Sequence, residues 1–125
     1  MKPPVILYVD DDPEALRVLK IGLEDRGYAV QTAPGVKEAL ALLAAETPAL
    51  IITDLRMSPV NGFDFYIDLK KQDAYAHVPF IFLTAVEDDF ARVYGQKLGV
   101  DAYMTKPVDL DRLHAFIGQR IQARP

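Results

Sequence analysis

Asp10, Asp11 and Asp12 stand directly behind the apolar run Val5–Val9. A hydrophobic strand that ends in adjacent carboxylates concentrates negative charge at one edge of a sheet. Carboxylates within about 4–6 Å oppose one another's ionisation unless a cation neutralises them. Hard divalent ions such as Mg²⁺ take oxygen ligands, typically one or two carboxylates together with phosphate oxygens. The run is therefore a candidate Mg²⁺ site. Other apolar runs close on polar residues too. Asp54 follows Leu50-Ile51-Ile52-Thr53, Thr84 follows Phe80-Ile81-Phe82-Leu83, and Lys106-Pro107 follow Tyr103-Met104-Thr105. Acids, a further acid, a hydroxyl and an ammonium thus each end a strand-like segment.

What positions them is an alternation of strand-like and helical segments. Strands are predicted at Val5–Val9, Ala29–Ala33, Ala49–Thr53, Phe80–Thr84 and Ala102–Thr105. The third and fourth are almost wholly apolar, as strands covered on both faces are. The first helix is predicted from Pro13 to Asp25, with Asp12 as its N-cap, Leu16, Leu19 and Leu23 on one face, and Gly27 beyond its end. Further helices are expected over Val36–Ala45, after Asn61-Gly62 with Phe63, Ile67 and Lys70 on successive turns, over Glu87–Leu98, and from Asp109 with Leu110, Leu113, Ile117 and Ile121 in register. Gly95 and Gly99 are both read as marking the end of the fourth helix. This pattern predicts an open parallel sheet with helices on both faces. Such sheets bind ligands beyond the carboxyl ends of their strands. The second strand, ending in Thr32-Ala33, brings no charge to that rim.

Composition narrows the function classes. Half of the 125 residues are apolar, so one domain can build its core without metal or disulfide staples. The absence of cysteine removes thiolate catalysis, thiolate zinc sites and disulfides, and fits a reducing, cytoplasmic setting. The apolar runs are far shorter than the ~18 residues of a membrane span, and Met1-Lys2-Pro3-Pro4 shows no secretory cleavage pattern. Net charge is −4, and once Asp10, Asp11, Asp12 and Asp54 are set aside the remaining acids and bases balance. No basic cluster suggests nucleic-acid binding.

Asp10-Asp11, Asp54, Thr84-Ala85 and Lys106-Pro107, in this order and each at its own strand end, resemble the receiver domain of two-component response regulators. The resemblance extends over essentially all of the chain and implies one receiver domain spanning residues 1–125. It implies a flavodoxin-like, doubly wound (βα)5 fold with a five-stranded parallel sheet in the order 2-1-3-4-5. Asp54 is then the phosphoacceptor, taking a phosphoryl group from a sensor histidine kinase or a phosphotransfer protein. Mg²⁺ is the implied cofactor, held by Asp11, by Asp54, by Asp10 through water and by the backbone carbonyl of Arg56. Lys106 pairs with phosphoryl oxygens, or with Asp54 in their absence, and the Thr84 hydroxyl donates to one of those oxygens. The implied switch has Thr84 moving toward the phosphoryl group and Tyr103 turning inward, which remodels the face of the fourth helix, fifth strand and fifth helix. A domain of this kind is a signalling element that assists its own phosphorylation and dephosphorylation rather than an enzyme. Its downstream partner is not readable, and it is expected as a monomer or a phosphorylation-dependent homodimer.

The chain also departs from the family. Ser58 occupies the usual proline position after the phosphoacceptor, and proline follows at Pro59, which suggests an altered loop geometry over Met57–Gly62. Arg56 and Val86 occupy positions that tune dephosphorylation in the family; the long, cationic Arg56 can cover the acyl phosphate and Val86 cannot orient a water, so slow self-hydrolysis is expected. The Lys106–Pro107 bond is expected to be cis. Val100-Asp101-Ala102-Tyr103 lacks the second acid common in receivers that dimerise through the fourth-helix face to bind DNA. The sequence ends at Ala123-Arg124-Pro125 without a DNA-binding or catalytic module, which fits a stand-alone regulator and a piece of a longer protein equally. Each motif alone has a plainer reading: Asp12 as a cap only, Thr84 as packing, Lys106 as a solvated lysine, Tyr103 as a fixed aromatic, His77 and His114 as surface residues. Two competing functions stand beside the receiver. One is a phosphorylation-independent pseudo-receiver. The other is a small aspartyl-phosphate phosphatase of the haloacid dehalogenase type, to which Asp10-x-Asp12 is similar but for which the chain leaves no room for a cap.

Overall fold

Alternating side chains along the strands divide the core into two layers, one on each side of a single sheet. In the computed structural model, which describes residues 3–122, the strands are β1 (Val5–Val9), β2 (Ala29–Ala33), β3 (Leu50–Thr53), β4 (Phe80–Thr84) and β5 (Ala102–Thr105). The helices are α1 (Pro13–Glu24), α2 (Val36–Ala45), α3 (Gly62–Lys70), α4 (Asp89–Leu98) and α5 (Leu110–Gln122). All strand pairs are parallel, in the order β2-β1-β3-β4-β5. Leu7, Val9, Ile51, Phe80 and Phe82 point to one face, where α2 and α3 cover them through Ala39, Leu43, Phe65, Tyr66 and Leu69. Ile6, Tyr8, Leu50, Ile52, Ile81 and Leu83 point to the other, against Leu19 and Leu23 of α1 and Leu113 and Ile117 of α5. The sheet is thus doubly wound, and β3 and β4 are buried along their whole length.

The expected segments hold, with local shifts that have local causes. β3 starts at Leu50 rather than Ala49. α4 starts two residues later than Glu87, because the Asp88 carboxylate accepts from the Phe90 N–H at 2.8 Å and serves as N-cap. The start of α5 shifts for the same reason: Asp109 accepts from the N–H groups of Asp111 and Arg112. Asp12 caps α1 as expected, accepting from Glu14 N–H at 3.0 Å. α3 buries Phe65, Tyr66 and Leu69, while Phe63 and Ile67 are only partly covered. Gly99 ends α4 in the left-handed region (φ 93°), but Gly95 does not terminate anything. It lies inside α4, where an added Cβ would meet the rings of Phe82 and Tyr103 at 3.3 Å. Its smallness lets the helix approach the sheet. Among the described residues no helix is long and apolar enough to cross a membrane. Met1, Lys2 and Ala123-Arg124-Pro125 lie outside the described residues.

Candidate functional site

Parallel register brings the carboxyl ends of β1, β3, β4 and β5 to one rim. Val9 lies opposite Thr53, and Thr84 opposite Thr105, so the next residues, Asp10, Asp54, Ala85 and Lys106, emerge side by side. Backbone bonds continue the ladder past the strands: Asp54 N–H donates to Val9 O at 2.9 Å and Lys106 N–H to Thr84 O at 2.9 Å. The site is therefore anchored by main chain and not by loops alone.

Carboxylate oxygens of Asp10, Asp11 and Asp54 lie within 4.8 Å of one another. Asp10 is fully buried, Asp54 nearly so, and Asp11 is exposed at the rim. The Asp54 Oδ1 atom accepts from the N–H groups of Leu55 at 2.6 Å and Arg56 at 3.3 Å, and Oδ2 accepts from Lys106 Nζ at 3.1 Å. Lys106 lies closer still to Asp10, 2.6 Å from its Oδ2. Burial works against the lysine's charge, but its hydrogen bond to Asp10 and the charges of Asp10 and Asp54 outweigh it and hold the ammonium above its ordinary range. An all-carboxylate oxygen set suits a hard divalent cation such as Mg²⁺.

Asp10, like Asp54, accepts three hydrogen bonds, and it is the more deeply buried of the two. Its Oδ2 also accepts from the Tyr8 hydroxyl at 2.6 Å, and its Oδ1 from Asp12 N–H at 3.0 Å. Burial first, then the hydrogen bond and charge of Asp10, push the Tyr8 phenol far above its usual range. The sequence reading passes over Tyr8 as part of an apolar strand. A signal was present: residues i and i+2 share a strand face, so a hydroxyl two positions before Asp10 points the same way. The shared lysine was likewise expected on Asp54, and the larger share of it belongs to Asp10.

Thr84 is buried, and its Oγ1 accepts from Val86 N–H at 3.3 Å. Tyr103 is already turned inward, its hydroxyl donating to Val86 O at 2.7 Å and its ring lying under the Arg92 guanidinium at 4.9 Å. The Arg56 side chain is exposed, while its backbone N–H serves Asp54. Lys106–Pro107 is cis as expected, and Ser58–Pro59 is cis as well, which the sequence reading does not anticipate. The loop after Asp54 closes with Gly62 N–H on Leu55 O at 2.9 Å and Asn61 capping α3 through Asp64 N–H at 2.9 Å. Gly62 sits so near this loop that an added Cβ would lie 2.3 Å from Asp54 O. His77 is exposed, and His114 packs edge-on against Tyr28, so neither joins the site.

Comparison with known proteins agrees with this geometry. The family model described as the response regulator receiver domain matches residues 6–118. An uncharacterized 14.6 kDa protein of Leptolyngbya boryana is 38% identical over 96% of this chain and 92% of its own length. Response regulator Rre1 of Synechocystis is 35% identical over 93% of this chain, which spans 51% of that protein. The receiver domain of HemR from Leptospira biflexa superimposes with a TM-score of 0.85 at 33% identity, covering 98% of both chains. The chain belongs to the response regulator receiver family of two-component signalling: a signalling domain rather than an enzyme that turns over substrate. Members of the family bind Mg²⁺ at an acidic pocket and interact with histidine kinases or phosphotransfer proteins.

Proposed function

We propose that residues 1–125 form one receiver domain whose Asp54 accepts a phosphoryl group from a phosphohistidine of a kinase or phosphotransfer protein. The observation that carries this reading is the convergence of three carboxylates within 4.8 Å with a lysine 3.1 Å from Asp54. An oxygen lone pair of Asp54 forms the new O–P bond as the P–N bond breaks. The electron pair of that bond stays on the imidazole nitrogen, which takes up a proton, and the product is an acyl phosphate. Such a transfer depends on positioning and charge neutralisation. Mg²⁺, when bound by Asp11 and Asp54, by Asp10 through water and by the Arg56 carbonyl, supplies positive charge beside the incoming phosphoryl oxygens.

Lys106 pairs with the Asp54 carboxylate before transfer and with phosphoryl oxygens after it. The Leu55 and Arg56 N–H groups hold one Asp54 oxygen in place. Thr84 carries the hydroxyl that answers the new charge. Its motion is transmitted through Val86, whose N–H it accepts and whose carbonyl receives the Tyr103 hydroxyl. Tyr103 therefore acts from an inward position, and the face of α4, β5 and α5 is repacked around it for a partner or output. Beryllofluoride with Mg²⁺ tests the reading by ¹H–¹⁵N NMR. Shifts are expected at Asp54–Arg56, Thr84–Val86, Tyr103 and Lys106. A spectrum unchanged by the reagent favours the phosphorylation-independent alternative.

A further inference from the structure

Tyr8 has no part in the scheme above, yet it makes one of the two shortest hydrogen bonds to Asp10. Its hydroxyl and the Lys106 ammonium both lie 2.6 Å from the same oxygen, Asp10 Oδ2. The other oxygen is engaged by Asp12 N–H at 3.0 Å. Asp10 and Tyr8 are buried, so water cannot replace any of these donors freely. Two donors on one oxygen weaken each other. When Lys106 leaves that oxygen, a buried carboxylate would lose a partner unless another donor remains, and an unpaired buried acceptor is costly.

We infer that Tyr8 is a positioning residue that acts through Asp10, loosening the hold of this carboxylate on Lys106 and so allowing the lysine to be released when a cation enters the acidic site. The inference rests on the receiver reading. It concerns how the site is poised, not whether Asp54 is the acceptor. With the hydroxyl removed, Asp10 Oδ2 is left to Lys106 alone. The internal ion pair tightens, and Lys106 competes more strongly with a cation. Where Lys106 is itself absent there is no competitor, and loss of the hydroxyl only leaves Asp10 less neutralised.

The test is Mg²⁺ titration of the unphosphorylated protein by calorimetry and by amide NMR, in the parent, Tyr8→Phe, Lys106→Met and the double variant. Tyr8→Phe keeps the ring and removes only the hydroxyl, so the core between β1, α1 and α5 stays filled. Tyr8→Phe is expected to weaken Mg²⁺ binding about fivefold, the equivalent of one ordinary net hydrogen bond. In the Lys106→Met background the same change is expected to leave binding unchanged or tighter. Side-chain ammonium NMR supplies a readout without metal: the Lys106 signal is expected to exchange more slowly with water in Tyr8→Phe. Equal weakening in both backgrounds makes Tyr8 a merely structural residue and overturns the inference. So does unchanged or tighter binding in Tyr8→Phe alone. Failure of the parent to bind Mg²⁺ overturns the proposed Mg²⁺-dependent phosphoacceptor function, and this role with it.

Discussion

At the level of single residues, Lys106 is divided between two carboxylates, and its preference goes to the wholly buried one. This division has a consequence for pH. Lys106 and Tyr8 both hold their protons more tightly in the folded protein than in the unfolded chain. Stability from such groups is fully present below their unfolded pKa values, about 10.4 and 10, and is lost as pH rises toward the raised folded values. The unfolding free energy from urea melts is therefore expected to stay level from neutral pH to about pH 10 and to fall above it, by up to about 1.4 kcal/mol per pH unit for each group. Tyr8→Phe should make the fall shallower. Tyr28, Tyr66 and Tyr103 also hold their protons more tightly through burial and add to the fall in both proteins, so a fall equally steep in Tyr8→Phe and the parent would contradict the role described for the Tyr8 hydroxyl. Arg56 and Val86 bear on the lifetime of the acyl phosphate. The exposed Arg56 side chain can cover it, and Val86, whose backbone is tied to Thr84 and Tyr103, presents no group that orients a water. Replacing both (Arg56→Asn with Val86→Glu) is expected to speed loss of the phosphoryl group several-fold, followed by intact mass after donor removal. A half-life equal to the parent's would contradict this.

At the level of elements, glycine placement decides how near the helices stand to the rim. α3 begins against the Asp54 backbone, where a Cβ on Gly62 would lie 2.3 Å from Asp54 O and 3.0 Å from Leu55 Cα. The obstacle is backbone, which cannot swing aside. Gly62→Ala is expected to cost about 1–3 kcal/mol in a denaturant melt and to slow phosphorylation by displacing the Leu55 and Arg56 N–H groups from Asp54. Full stability with unchanged uptake would show that the loop moves freely. The strands and most helix limits were legible because their signals are local: apolar runs, a proline behind Asp12, a glycine at position 99. The starts of α4 and α5 were misplaced by one or two residues, because Asp88 and Asp109 were read as helical and are caps. Gly95 was misread for a different reason. Its role depends on Phe82 and Tyr103, which are distant in sequence and adjacent only in the folded sheet.

At the level of the whole molecule, periodicity indicated a parallel sheet with two helical layers, but strand order came only from resemblance to a family. Local pattern does not say which strand lies beside which. That order is what brings Asp10, Asp54, Thr84 and Lys106 to one rim from four strand ends. The charged residues of the site were legible because each breaks an apolar run. Tyr8 was not, because an aromatic within a strand is ordinarily core, and here it is core along its ring and site at its hydroxyl. The central claim is that this rim exists to load a phosphoryl group onto Asp54. Acetyl phosphate with Mg²⁺, followed by intact-mass measurement of the parent and of Asp54→Asn, tests it most directly. The expected result is a single phosphoryl adduct on the parent that needs Mg²⁺ and is absent from Asp54→Asn. An adduct that persists in Asp54→Asn, or none on the parent, would contradict it.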